Sequence, residues 1–196
     1  MTPISTIDLH VHTYYSDGKY SPAELLRYAA SIGLETVAIT DHDNTNGARE
    51  ASSLAQELGM ELIPAIELTC RWPLCDTLPG DGDIDVLGYF IDLSRPEFQT
   101  FEQATLSDIH ARIADCCAYL TADGCPISLD DVFAGNRRYA GVVQLVLAVQ
   151  RKGYADGWNT ALQLIDEYWK RVRLSRFTIQ EVIEQIHLAG GVAILA

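Results

Sequence analysis

The chain has 196 residues, 48% of them hydrophobic, enough apolar material for a sizeable core in one domain or in one domain with an insertion. Its formal net charge of −13 argues against nonspecific binding to nucleic acid or to an anionic membrane surface, since both require clustered Lys and Arg. No leader pattern and no apolar run of transmembrane length stands out, so the expectation is a cytoplasmic chain with no membrane partner and no stable nucleic-acid partner.

In chain order, short apolar runs rich in β-branched residues at 4–10, 36–40, 61–68 and 84–91 read as strands. Helical patterns separate the first three. The first is opened by Ser21 as N-cap, Pro22 at the first helical position and Glu24 completing a capping box, with Gly33 just beyond its end; the second covers 47–58 and stops at Gly59. Strand, helix, strand, helix, strand is the signature of a parallel α/β sheet or barrel. From Ser94 the chain turns almost wholly helical. Ser94 and Glu97 form another capping box, and Phe98, Phe101, Ile109, Ile113, Cys116 and Leu120 follow at helical spacing to Gly124. Shorter helices are expected at 142–152 and 160–170, and Thr178 with Glu181 caps a helix running to Gly190. The closing "VAILA" reads as a buried strand. The chain is therefore expected to be an α/β domain, residues 1–94 and 178–196, interrupted by a helical insertion, residues 95–177. Because it stops on the returning strand, the natural domain is expected to continue further.

Five cysteines, Cys70, Cys75, Cys116, Cys117 and Cys125, show no zinc spacing and are expected to be reduced, packed thiols. The chemistry is expected elsewhere. In "IDLHVHTYYSDG", residues 7–18, Asp8, His10 and His12 alternate, so an extended strand puts them on one face while Ile7, Leu9 and Val11 take the other. Asp41, His42 and Asp43 follow the second strand in "AITDHD", and Glu67 closes the third in "IPAIEL". In parallel α/β folds functional groups collect at the carboxyl ends of strands, and three successive strands here deliver ligand-type residues to one edge. Imidazoles mixed with carboxylates suit Zn²⁺, Mn²⁺ or Fe²⁺. Asp17 could swing back from its turn as a further ligand, with Gly18 relieving the backbone, and Glu67 could bridge two ions. Asp8 and Asp41 are read as supporting carboxylates, Asp8 orienting a histidine through its other ring nitrogen. His110 and His187 sit in helical patterns without partners and are read as structural or surface residues.

The stretch "DLHVHTYYSDGKYSPAELLRYAASIGLETVAITDHDNTNGARE" resembles the opening of the PHP (polymerase and histidinol phosphatase) superfamily. "IPAIEL", "VLGYFID" and "AGGVAILA" resemble later segments of its stand-alone nucleotide phosphoesterase branch. The resemblance implies a distorted, seven-stranded, TIM-like β/α barrel with a helical insertion, here incomplete at its C-terminus, and up to three metal ions (Mn, Zn or Fe) at the carboxyl end of the barrel. By position, His10, His12, Asp17, His42 and Glu67 match family ligands. Asp85 stands where the family usually has a histidine and is carried as a further ligand. Gln144 stands at another family histidine, and the His-Pro and Asp-x-His segments expected beyond "AGGVAILA" are absent from this sequence.

The implied activity is hydrolysis of phosphate esters of nucleotides or short oligonucleotides, phosphatase or exonuclease, by metal-activated hydroxide with no protein nucleophile. Arg137 and Arg138 could bind phosphate; as an ordinary solvated basic pair they would do nothing. The competing reading is a truncated or degenerate relative that binds metal or nucleotide without turnover. A metal amidohydrolase shares His-x-His but is less expected to carry the Ser-Asp-Gly turn and Thr-Asp-His, and no bridging lysine is evident.

Overall fold

A computed structural model describes residues 6–72, 82–136 and 138–196. The elements follow in the order β1 (Ile7–Val11), α1 (Pro22–Ser31), β2 (Thr36–Ile39), α2 (Asn46–Leu58), β3 (Glu61–Trp72), β4 (Gly82–Tyr89), α3 (Pro96–Ala122), α4 (Leu129–Phe133), α5 (Val142–Arg151), α6 (Trp158–Trp169), α7 (Ile179–Leu188) and β5 (Val192–Leu195). The expected start of the first strand at Ile4 lies outside the described residues.

The signals that open and close the helices are mostly local. Ser21 Oγ accepts from the Glu24 N–H while the Glu24 carboxylate accepts from the Ser21 N–H, and Thr178 and Glu181 repeat the arrangement on α7. α2 ends on Gly59 at φ 68°, a conformation that favours glycine. One expected cap is corrected: Ser94 donates to the Asp92 carboxylate instead, and α3 starts two residues later with Pro96 at its first position, where no N–H is needed.

β1, β2 and β3 are parallel, as their helical crossovers require. β4 runs antiparallel to β3, and β5 antiparallel to β4. The nine residues 73–81 between β3 and β4 are fewer than the dozen or so that a parallel crossover needs, which explains the reversal. The sheet has the order β1-β2-β3-β4-β5 and, among the described residues, does not close on itself. It does curl. The Tyr89 hydroxyl on β4 donates to the Leu9 carbonyl on β1 at 2.9 Å, although three strand spacings in a flat sheet would separate those strands by about 14 Å.

The convex face is heavily covered. Val37 and Ile39 pack with Leu26 and Ala29 of α1 and Ala48, Ala51 and Ala55 of α2, and Ile66, Leu68 and Val86 pack with Phe98, Val182 and Ile186. On the other face Ala38, Ile63, Ala65, Leu87 and Tyr89 form a thin apolar floor. Because side chains alternate along β3, Glu67 emerges on the side of Ile63 and Ala65, just past that floor. On strand β1, Ile7 and Leu9 are 51% and 40% exposed, and Val11 alone of the three packs into the core; the expectation of a buried closing strand is corrected, since Val192, Ile194 and Leu195 of β5 are exposed.

The chain divides into two compact units, residues 1–105 with 176–196, and residues 106–175, the division falling within α3. The second unit has its own core of Ile113, Cys116, Leu120, Leu145, Val149 and Ile165. Cys70, Cys116 and Cys117 are buried free thiols, and burial pushes their pKa values up to about 12, 12 and 11, so they are inert. Cys75 lies outside the described residues. No helix among the described residues is long and apolar enough to cross a membrane.

Candidate metal centre

Parallel alignment of β1, β2 and β3 puts their carboxyl ends on one rim. Val11 pairs with Ile39 and Ile39 with Pro64, and beyond the end of β2 His42 forms a separate bridge with Glu67. Backbone bonds fix the loops to this rim: Thr40 N–H donates to Val11 at 2.9 Å, Asp43 N–H to Glu67 at 2.8 Å and Glu67 N–H to Asp41 at 3.2 Å.

On the rim the side chains converge on one atom. Glu67 Oε2 lies 3.1 Å from Nε2 of His10, 3.1 Å from Nε2 of His12 and 3.6 Å from Nε2 of His42. Asp17 reaches back from its turn, with Oδ1 3.0 Å from His12 Nδ1 and Oδ2 3.8 Å from His42 Nε2. Asp85 joins from β4. Three donor triads result, His10 with His12 and Glu67, His12 with Asp17 and His42, and His42 with Glu67 and Asp85, each with ligand atoms within 4.8 Å of one another.

Burial of His12 would lower its pKa, but hydrogen bonds to Asp17 and Glu67, together with their charges, push it up to about 10. Burial likewise works to raise Asp17 and Glu67, and their histidine partners hold both below the ordinary carboxylate range. In the metal-free molecule, then, a proton on His12 pairs it with Asp17 and Glu67.

The loop between β1 and α1 is shaped from below. Asp41, almost fully buried, accepts from Thr13 N–H at 2.7 Å, Thr13 Oγ1 at 2.6 Å and Ser16 Oγ at 2.7 Å; burial still raises its pKa. Asp41, expected as a supporting carboxylate, holds the loop that carries Asp17, and Ser16 Oγ in turn lies 3.3 Å from His12 Nδ1. Asp8 meets His10 at the backbone N–H, 3.3 Å away, rather than at its ring. Asn44, not anticipated from the sequence, donates from Nδ2 to the carbonyls of both Tyr15 and His42 and so ties the first loop to the second. Thr69, also missed, donates to Asp85 Oδ1 at 2.6 Å. These supporting residues have no spacing rule; only the ligand types announce themselves in sequence.

Other expected residues do not belong to these triads. Arg138 is exposed on the second compact unit with its N–H on Asn136 Oδ1, and Arg137 lies outside the described residues. His110 accepts from the Ala140 N–H and packs edge-on against Phe133, while His187 is exposed on α7.

A family model for the PHP domain matches residues 8–183. The chain belongs to the PHP domain family. The 5′-3′ exoribonuclease Rnm of Escherichia coli K12 is 37% identical to this PHP domain over 200 residues, taking in 96% of this chain and 64% of that protein. A 5′-3′ exoribonuclease of Haemophilus influenzae is 30% identical over 192 residues, covering 96% and 67% respectively. The solved structure of a Bifidobacterium adolescentis protein assigned as a metal-dependent phosphoesterase matches with a TM-score of 0.79 at 27% identity, over 96% of this chain and 65% of that one. The chain thus spans about two thirds of the length of these proteins.

The donor set of this PHP domain fits divalent cations. Three imidazole nitrogens face one carboxylate oxygen, and neutral imidazoles with carboxylates are the ligand types that a borderline divalent ion takes. His12, His42 and Glu67 each belong to two triads, so the triads overlap: a neutral imidazole serves one ion at a time, whereas the two oxygens of Glu67 could serve two.

Proposed function

We propose that this chain carries the core of a metal-dependent phosphoesterase acting on phosphate esters of nucleotides or short oligonucleotides, and that its curled sheet is the arc of a β/α barrel. The observation that carries the reading is the convergence of His10, His12 and His42 on Glu67, with Asp17 and Asp85 at the flanks. His10, His12, Asp17, His42, Glu67 and Asp85 would hold the ions. Divalent ions (Mn, Zn or Fe) bound there supply acidified water for attack and compensate charge on the phosphoryl oxygens.

The chain's own residues prepare that chemistry. Asp41, through Thr13 and Ser16, keeps Asp17 within reach of His12, and Asn44 keeps the His42 loop beside it. The His10 side chain is 44% exposed, leaving the cluster open to an ester on the β1 side. The carboxylates of Asp17, Glu67 and Asp85 would repel a phosphate, and the cations these residues would hold would offset that charge.

A binding chain without turnover is the second reading. It draws on Gln144, whose Oε1 accepts the Gly141 N–H as part of the α5 cap where the resemblance leads one to expect histidine. The test is release of phosphate or nucleotide from a nucleoside 3′,5′-bisphosphate and from a short 5′-phosphorylated RNA, with Mn²⁺ present. Turnover that falls at least 100-fold in His12→Ala supports the phosphoesterase; metal uptake without turnover supports the second reading. Equal rates in the parent and His12→Ala overturn the site.

A further inference from the structure

The three triads differ in donor chemistry. Two of them offer two imidazoles and one carboxylate, whereas His42, Glu67 and Asp85 offer one imidazole and two carboxylates. We propose that this third triad is a hard-cation subsite, with a higher Mn²⁺-to-Zn²⁺ preference than the other two, and that Thr69 is the residue that positions Asp85 within it. The proposal rests on the reading of the cluster as a metal centre and adds a division of labour inside it.

The sheet itself assembles this subsite. Thr69 and Asp85 are directly opposite in the antiparallel β3–β4 ladder, and Glu67 precedes Thr69 by two residues. Opposite residues share a face and so do residues two apart, which places Glu67, Thr69 and Asp85 on one side of the sheet. The 2.6 Å bond from Thr69 Oγ1 to Asp85 Oδ1 is short and charge-assisted. A carboxylate has about four acceptor directions, so one such bond orients it and still leaves capacity for a cation. Threonine is stiff at χ1, which makes it a firm anchor. His42 arrives from beyond the end of β2, held by the Asp43 N–H on the Glu67 carbonyl.

Ligand hardness then separates the positions. Oxygen-rich sets suit Mn²⁺ and Mg²⁺, while imidazole-rich sets favour Zn²⁺ more strongly along the common affinity order of divalent metals. Two anionic ligands on adjacent strands also repel one another unless a cation lies between them, so Asp85 ties the occupancy of the β4 side to a hard ion.

The experiment is zinc displacement from the full chain loaded with Mn²⁺, followed by electron paramagnetic resonance of released Mn²⁺ and by elemental analysis, with folding checked by circular dichroism. Zinc should displace manganese in two phases, the resistant phase amounting to one ion per chain. In Asp85→His that phase should merge with the other. Thr69→Val should weaken it by about tenfold, the scale on which an oriented ligand loses affinity with its outer partner, and Thr69→Ser should restore it. A single displacement phase at full occupancy in the parent, or a resistant phase that survives Asp85→His, overturns the subsite alone. A parent chain that takes up neither metal overturns the metal-centre reading with it.

Discussion

An alanine methyl at position 18 would strike the backbone carbonyl of His12, because the loop folds Gly18 back over the end of β1 and its N–H bonds to the Thr13 carbonyl at 3.0 Å. The obstacle is rigid backbone, so the loop must shift, and Asp17 shifts with it. Gly18→Ala is expected to cost about 2 kcal/mol of stability, the scale of an overpacked contact, and to weaken Mn²⁺ binding, read by chemical denaturation and by metal titration. The Ser-Asp-Gly turn is visible in the sequence as a turn. Its reason is not: the need is for close approach to His12, a contact that exists only once the chain has reversed. The ligand residues were legible for the opposite reason, since histidines and acids at strand ends advertise their chemistry by type. Asn44 and Thr69 bond to groups two or more residues away through ordinary amide and hydroxyl functions, and nothing in their local pattern marks them.

At the scale of elements, α1 and α7 were readable because Ser21, Glu24, Thr178 and Glu181 close their capping bonds within four residues. α2 is capped from a distance. Its N-cap Thr45 makes no side-chain cap bond; the terminus is satisfied by Glu102 from α3, whose carboxylate accepts Thr45 N–H at 2.6 Å and lies 3.6 Å from Arg49 Nη2. Glu102 is 3% exposed, so removing it takes the acceptor from the buried Thr45 amide and the charge partner from Arg49, which keeps its bonds to Thr45 Oγ1 and the Leu93 carbonyl. Glu102→Ala is expected to destabilise the protein by about 3 kcal/mol, measured by urea unfolding, with a smaller loss in Glu102→Gln, which keeps an acceptor. The direction of β4 belongs to this scale too. The nine-residue interval before it was available to a reader of the sequence, but the apolar run at 84–91 says only that a strand exists, not which way it runs.

For the whole molecule, the cluster links folding to protons and metal. His12 has a pKa raised from 6.5 to about 10, so in the metal-free protein its contribution is fully present below pH 6.5 and is lost as pH climbs towards 10. Asp17 and Glu67 are lowered from 3.8 and 4.5, so theirs is present above those values and is lost as pH falls beneath them. Metal-free protein should therefore be steadiest between about pH 4.5 and 6.5 as far as this cluster decides it. A cation takes the place of the protons, so binding releases them and strengthens with pH. Thermal melts with chelator and with Mn²⁺ should diverge from pH 6.5 to pH 9, with Tm falling in the first series and holding in the second. A gap of the same size in His12→Ala would contradict the linkage.

The sequence by itself determined which residues have metal chemistry, which segments are strands and helices, and that three strand ends carry the same kinds of ligand, because residue type, periodicity and capping are properties of a few neighbouring positions. Only the tertiary structure decided that Glu67 is the common point of three imidazoles, that Asp41 serves the Asp17 loop, and that Asp85 stands beside Thr69 on an antiparallel strand. Those facts depend on register and curl, which are set by burying the sheet's convex face against its helices, a condition that no short stretch of chain contains.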